Sequence, residues 1–178
     1  KSFFAKREII FLLLFTNDEI IIADPQNEYT PLVMAMGGAA FDMSPTSPFH
    51  LNAMDLALGY GDNANPLIAK SEFTLSFLEQ IMGGTGRLTA MDKSLVDRCL
   101  SKIYAEYLGS NYTIQPPTLV DLHKALKQQR LKRADELALA MEMVSTGNLD
   151  MFAHQTNIDV NNRLISFGIR DLGKQLRT

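Results

Sequence analysis

The chain has 178 residues, a formal net charge of −3, and 46% hydrophobic and 21% charged side chains. That length holds one domain or a large piece of a bigger one, and the composition excludes a disordered chain. The charge gives no overall attraction to nucleic acid or anionic lipid. The single cysteine, Cys99, excludes a disulfide framework and suits a reducing compartment, where it packs as a small hydrophobe.

Lys1-Ser2 runs directly into an apolar stretch that ends at Phe15. Its longest unbroken run, residues 9–15, falls far short of the ~20 residues a membrane span needs. Lys1, Lys6 and Arg7 precede it as in a secretory signal, but Thr16-Asn17-Asp18-Glu19 offers no small-residue cleavage site. It reads as a helix buried on nearly every side. After the Asn17-Asp18 turn, Ile20-Ile21-Ile22-Ala23 lacks alternation, the mark of an interior strand of a parallel sheet covered on both faces. Asp24-Pro25 stops it, because proline cannot donate to the ladder. Residues 30–36 form a short helix closed by Gly37-Gly38, and residues 39–43 a second strand before a proline-punctuated loop at 44–48.

From Asn65-Pro66, a capping side chain followed by proline at the first helical position, the chain turns helical. One helix runs to about Met82 and ends at Gly83-Gly84. A second starts at Thr89 and carries the stripe Leu95, Val96, Cys99, Leu100, Ile103, Tyr104, Tyr107 and Leu108 to Gly109. A third opens at Thr118 with Asp121 and reaches about Gln128, and a fourth covers 133–145. Residues 163–169 form a last strand, followed by Arg170-Asp171. The expected fold is α/β, a parallel sheet interrupted by an all-helical insertion. The expected divisions are 1–64 and 148–178 for the sheet part and 65–147 for the insertion.

Ligands of open parallel sheets bind beyond the carboxyl ends of the strands. Asp24 and Asp171 stand there, each as a turn or cap residue or as a functional carboxylate. A phosphate-binding loop, G-x-x-x-x-G-K-[ST], lies between a strand and a helix, and its lysine and hydroxyl serve the outer phosphates and magnesium. Lys1-Ser2 has the form of the last two residues of such a loop. Gly83-Gly84-Thr85-Gly86-Arg87 lacks the Lys-[Ser/Thr] pair and joins two helices, so it is a connection. His50, His123 and His154 show no zinc-ligand spacing, and no Ser-His-Asp arrangement is evident.

The stretch "EIIIADPQNEYTPLVMAMGGAAFDMSPTSPFHLNAMDL" resembles the large conjugative-transfer ATPases of type IV secretion systems, closest to the VirB-type motors of Gram-positive conjugative elements. The resemblance rests on Asp24-Pro25-Gln26-Asn27-Glu28-Tyr29, on Gly37-Gly38 and on Asn52-Ala53-Met54-Asp55. It continues through the insertion and "FAHQTNIDVNNRLISFGIRDLGKQL". It implies an internal piece of a RecA-like P-loop domain, with ATP and magnesium as cofactors of the parent protein and little or no nucleotide binding by this piece alone. It implies phosphate contact at Lys1 and Ser2, magnesium ligation by Ser2 once the loop is complete, and catalytic roles for Glu28 and Asp24. Without the resemblance, Glu28 is a charged residue early in the following helix. Implied partners are other secretion components and further copies in a ring, at the inner face of the cell membrane. Lys124, Lys127, Arg130, Lys132 and Arg133 form a basic stretch that serves either as a solvated helix end or as a DNA contact. The alternative function is a non-enzymatic assembly module that docks partners through the insertion.

Overall fold

The computed structural model describes residues 2–61 and 65–172. They divide into two compact units, one formed by residues 2–49 with 157–172 and one by 50–61 with 65–156.

The first unit holds a three-stranded parallel sheet in the order β1-β3-β2, made of β1 (Ile20–Asp24), β2 (Ala39–Asp42) and β3 (Leu164–Gly168). Helix α1 (Ser2–Phe15) and helix α2 (Thr30–Ala35) belong to the same unit. Ile20 pairs with Leu164, and both pack with Ile9 of α1 and Val33 of α2 in one apolar cluster. The turn after α2 needs two glycines for different reasons. Gly37 takes the left-handed conformation (φ 76°), whereas Gly38 leaves no room for a side chain. A Cβ there would lie 2.6 Å from the Leu164 carbonyl oxygen and 2.8 Å from Val33 Cγ1.

Two expectations for this unit are corrected. β1 is an outer strand of the described sheet, not an interior one, and Ile21 on it is 69% exposed. Helix α1 buries only Ile9, and Phe3, Phe4, Phe11, Leu14 and Phe15 are exposed. Apolar content without periodicity signals a need for cover on every side. Among the described residues, cover comes from the sheet side alone.

The second unit is helical: α3 (Pro66–Ile81), α4 (Ala90–Gly109), α5 (Leu119–Lys127) and α6 (Lys132–Ser145), with a 3₁₀ turn at Asp150–Phe152. Asn65 caps α3 through its side chain, which accepts from the Leu67 N–H at 3.0 Å. Thr89 and Asp92 form a capping box on α4. The helices enclose a core of Val96, Cys99, Leu100, Leu122, Leu126 and Met141, all fully buried. Burial raises the Cys99 thiol pKa, which keeps it an inert packing group.

This unit reaches beyond the expected 65–147 at both ends, and the reason lies in its polar clasp. The Asn52 N–H donates to Thr156 Oγ1 at 2.9 Å, and the Thr156 hydroxyl donates to the Asp55 carboxylate. Asn52 Nδ2 donates to the Pro117 carbonyl at 3.0 Å. Met54 and Leu56 are buried in the helical core, and their carbonyls accept from the hydroxyls of Tyr104 and Tyr107. The 52–55 segment is therefore a staple of the helical unit. Buried beside it, Lys70 donates to the Ala53 carbonyl at 3.2 Å and sits 4.4 Å from the Tyr60 ring centroid. Burial lowers its ammonium pKa to about 8, against the pull of Asp55.

Helices α4 and α6 are joined by a bidentate ion pair. Arg133 Nε donates to Asp92 Oδ1 at 2.6 Å and Nη2 to Oδ2 at 2.8 Å, while the Asp92 side chain is fully buried. The guanidinium holds the Asp92 carboxyl well below the usual carboxylate range; burial opposes this and Thr89 assists it. A carboxyl with a depressed folded pKa contributes stability above its unfolded pKa of about 3.9, and loses it as pH falls through the folded value. Arg133→Met should thus lower the melting temperature at neutral pH, with the gap to wild type narrowing below about pH 4. Thermal melts by circular dichroism across that range check this, and a pH-independent gap would contradict it.

Candidate functional site

The three strands end level with one another. In register, Asp24 of β1 faces Gly168 of β3, and Gly168 faces Asp42 of β2. Helix α1 begins at this same end. Its Lys6 ammonium donates to the Glu28 carbonyl at 2.9 Å and lies 5.3 Å from the Tyr29 ring centroid. Its other end is held by Arg163, just before β3, which donates to the carbonyls of Leu12, Leu13 and Thr16. A cation on those last carbonyls complements the helix dipole. Hence α1 runs antiparallel to the strands, and the positive end of its dipole lies at the carboxyl end of the sheet.

The turn after β1 is shaped by Asp24, which is fully buried. Its Oδ1 accepts from the Gln26 N–H at 3.2 Å and its Oδ2 from the Tyr29 N–H at 2.8 Å. Both oxygens are thereby engaged with backbone. Glu28, one residue before Tyr29, is half-buried, and its carboxylate has no hydrogen bond or ion pair among the described residues. Of the two carboxylates expected at this end, Glu28 is the one with oxygens to offer.

Two residues that the sequence reading left without a role complete the turn. Asn27 takes the left-handed conformation (φ 55°), tolerated by asparagine better than by most residues. Its Nδ2 donates to Asp42 Oδ1 at 3.1 Å, across the end of the sheet. Its Oδ1 is buried with no hydrogen-bond partner among the described residues, which costs about 1–3 kcal/mol for an ordinary buried acceptor. Gly168 makes this crossing possible, since a Cβ there would come within 2.5 Å of Asn27 Oδ1 and 3.0 Å of Asp42 Oδ1. A glycine in a strand is the usual mark of such close approach.

Ser2 is the first described residue of α1 and is half-buried. Lys1 lies outside the described residues. Asp171 lies in the turn that follows β3 and has a partner of its own.

The basic stretch belongs to the helical unit. Arg133 is committed to Asp92 and to Glu136 at 2.8 Å. Lys124 lines a cleft of about 500 Å³ with Lys102, Gln115, Pro116, Gln128 and Gln155. Lys127 and Lys132 are exposed, and Arg130 has a left-handed backbone (φ 53°). His154 Nε2 lies 2.9 Å from Asp150 Oδ2, and no group of three metal-ligating side chains is present among the described residues. No helix among them is long and apolar enough to cross a membrane.

No protein-family model and no curated protein matches the chain. A solved structure does: VirB4 of Thermoanaerobacter pseudethanolicus superposes with a TM-score of 0.74 at 18% identity, covering 97% of this chain and 66% of that one. The fold is therefore a partial RecA-like α/β sheet with a helical insertion, as in that VirB4. At this identity the likeness is one of fold. The resemblance to type IV secretion motors is met at that level, and the chain spans less than two thirds of the solved VirB4 chain.

Gly168→Ala should destabilise the sheet unit by no more than about 1 kcal/mol, since the new Cβ meets only the ends of the Asn27 and Asp42 side chains, which can move aside at the loss of their mutual bond. Urea denaturation of the two forms measures it, and equal midpoints would show that the strand ends have room to spare.

Proposed function

We propose that this chain is part of an ATP-hydrolysing motor of the type IV secretion class, with the carboxyl end of its sheet belonging to the nucleotide site. One observation carries the reading. The 24–29 turn, held by Asp24 and by Lys6 of α1, sets the Glu28 backbone beside the carboxyl end of β1 and leaves its carboxylate unengaged among the described residues, in a fold like that of VirB4.

The residues present suit a magnesium nucleotide. The dipole of the 14-residue α1 is positive at this end, and no acidic residue in its first turn would repel phosphate. Ser2 offers a hydroxyl there for magnesium, and Lys1 a cation for the outer phosphates. Bound ATP with magnesium would supply the phosphoryl group and its charge neutralisation. The chain's own part is positioning. Asp24 shapes the turn, Lys6 anchors the Glu28 backbone, and the Glu28 carboxylate orients a water or senses the terminal phosphate. Such catalysis rests on pre-set geometry and electrostatics rather than on covalent chemistry.

The parent protein would act in conjugative transfer, at the inner face of the cell membrane, with other secretion components and as a ring of like subunits. Lys124, Lys127, Arg130 and Lys132 remain available for a DNA or partner contact, while Arg133 is engaged in its ion pairs. The cleft lined by Lys102 and Lys124 favours a second reading, in which the helical unit is an assembly module that docks a partner without chemistry.

Two outcomes are expected of steady-state ATPase assays. The 178-residue chain alone shows no magnesium-dependent hydrolysis, whereas a longer form carrying the remainder of the motor domain does. In that longer form, Glu28→Gln reduces kcat by about tenfold or more and changes KM by less than about threefold. Unchanged turnover would return Glu28 to a surface role and favour the assembly module.

A further inference from the structure

Asn27 joins, in one residue, a backbone that asparagine tolerates and a buried polar atom left unpaired. Its backbone is left-handed, and its buried Oδ1 has no hydrogen-bond partner among the described residues. Buried unsatisfied groups and unusual backbone conformations gather where function over-determines the local geometry. Asn27 lies directly before Glu28, half-buried, with its Oδ1 turned inward. The side chain crosses the end of β3, lying where a Gly168 Cβ would be, and bonds Asp42 at the end of β2.

The turn that carries Glu28 is thus held at three points by three elements. Asp24 of β1 holds the Gln26 and Tyr29 N–H groups, Lys6 of α1 holds the Glu28 carbonyl, and Asn27 reaches Asp42 of β2. The first two contacts tie the turn to β1 and to α1. The Asn27–Asp42 bond adds a tie over β3 to the far strand. We infer that Asn27 is a positioning residue, whose carboxamide, clamped over Gly168 onto Asp42, fixes the Glu28 carboxylate at the proposed nucleotide edge. Asp42 is the acceptor half of that clamp, and Gly168 is the space through which it passes.

The inference rests on the proposed motor function, and the test separates the two. Asn27→Gly keeps the left-handed backbone and deletes the clamp, so the turn folds without it. Asn27→Asp sets two carboxylates against each other. The double change Asn27→Asp with Asp42→Asn restores a donor and an acceptor with their direction reversed. In the longer, hydrolysing form, Asn27→Gly and Asn27→Asp should lower kcat by about tenfold with KM for ATP within about threefold. The double variant should recover to within about threefold of wild type. Unchanged kcat in Asn27→Gly, or no recovery in the double variant, overturns the inference.

In the 178-residue chain, hydrogen exchange at the Gln26 and Tyr29 amides reads the same clamp without any activity. It should quicken about tenfold or more in Asn27→Gly and slow again in the double variant. If no form hydrolyses ATP yet exchange follows this pattern, the motor reading fails while the clamp stands. If exchange is the same in all forms, the clamp itself is refuted.

Discussion

A carboxyl group without solvent contact governs the candidate site of this molecule. Asp24 ends β1 fully buried, and such a group is tolerated only when its oxygens find donors. Here the donors are the N–H groups of Gln26 and Tyr29, so satisfying one buried carboxyl group fixes the path of the five residues that follow. Pro25 cannot donate to the sheet and forces the departure. The left-handed Asn27 reverses the chain, and Tyr29 arrives as the residue just ahead of α2. Glu28 is delivered to the carboxyl end of the sheet by this geometry and not by any bond of its own side chain.

The two units solve different problems with different means. The sheet unit relies on parallel register and one small apolar cluster, with Gly38 and Gly168 admitting neighbours that a Cβ would exclude. The helical unit has the larger core, and it closes on itself through polar groups. Asn52 and Asp55 near its start both bond Thr156 at its end, and Arg133 ties α6 to the buried Asp92 of α4. Since Arg133 is spoken for, the basic stretch offers less free charge to a phosphate backbone than its composition suggests. The candidate site lies wholly within the sheet unit.

Much of this was legible in the sequence. The signals that start and stop an element are local, so caps such as Asn65-Pro66 and Thr89, the stops at Gly37-Gly38, and the stripe on α4 announce themselves within a few residues. The Asp24-to-Tyr29 motif could be placed at a strand end, although its division into a buried brace and an unengaged carboxylate could not. That division depends on which N–H groups lie near, and so on the turn's actual path. The Asn27–Asp42 clamp was hidden because its partners lie 15 residues apart and meet only across β3. The isoleucine run pointed to an interior strand, yet apolarity records what a strand must be covered by and not which neighbours supply it. The wider bounds of the helical unit came from Met54 and Leu56, loop residues without helical spacing whose burial depends on Tyr104 and Tyr107 far along the chain.

The central claim is that the end of the sheet formed by Asp24, Gly168 and Asp42 faces a nucleotide. A structure of the longer motor form with magnesium and a non-hydrolysable ATP analogue tests it most directly. The analogue is expected at that end, with the Ser2 hydroxyl on the metal and the Glu28 carboxylate turned toward the terminal phosphate. An analogue bound elsewhere, or Glu28 turned away from it, would contradict the account.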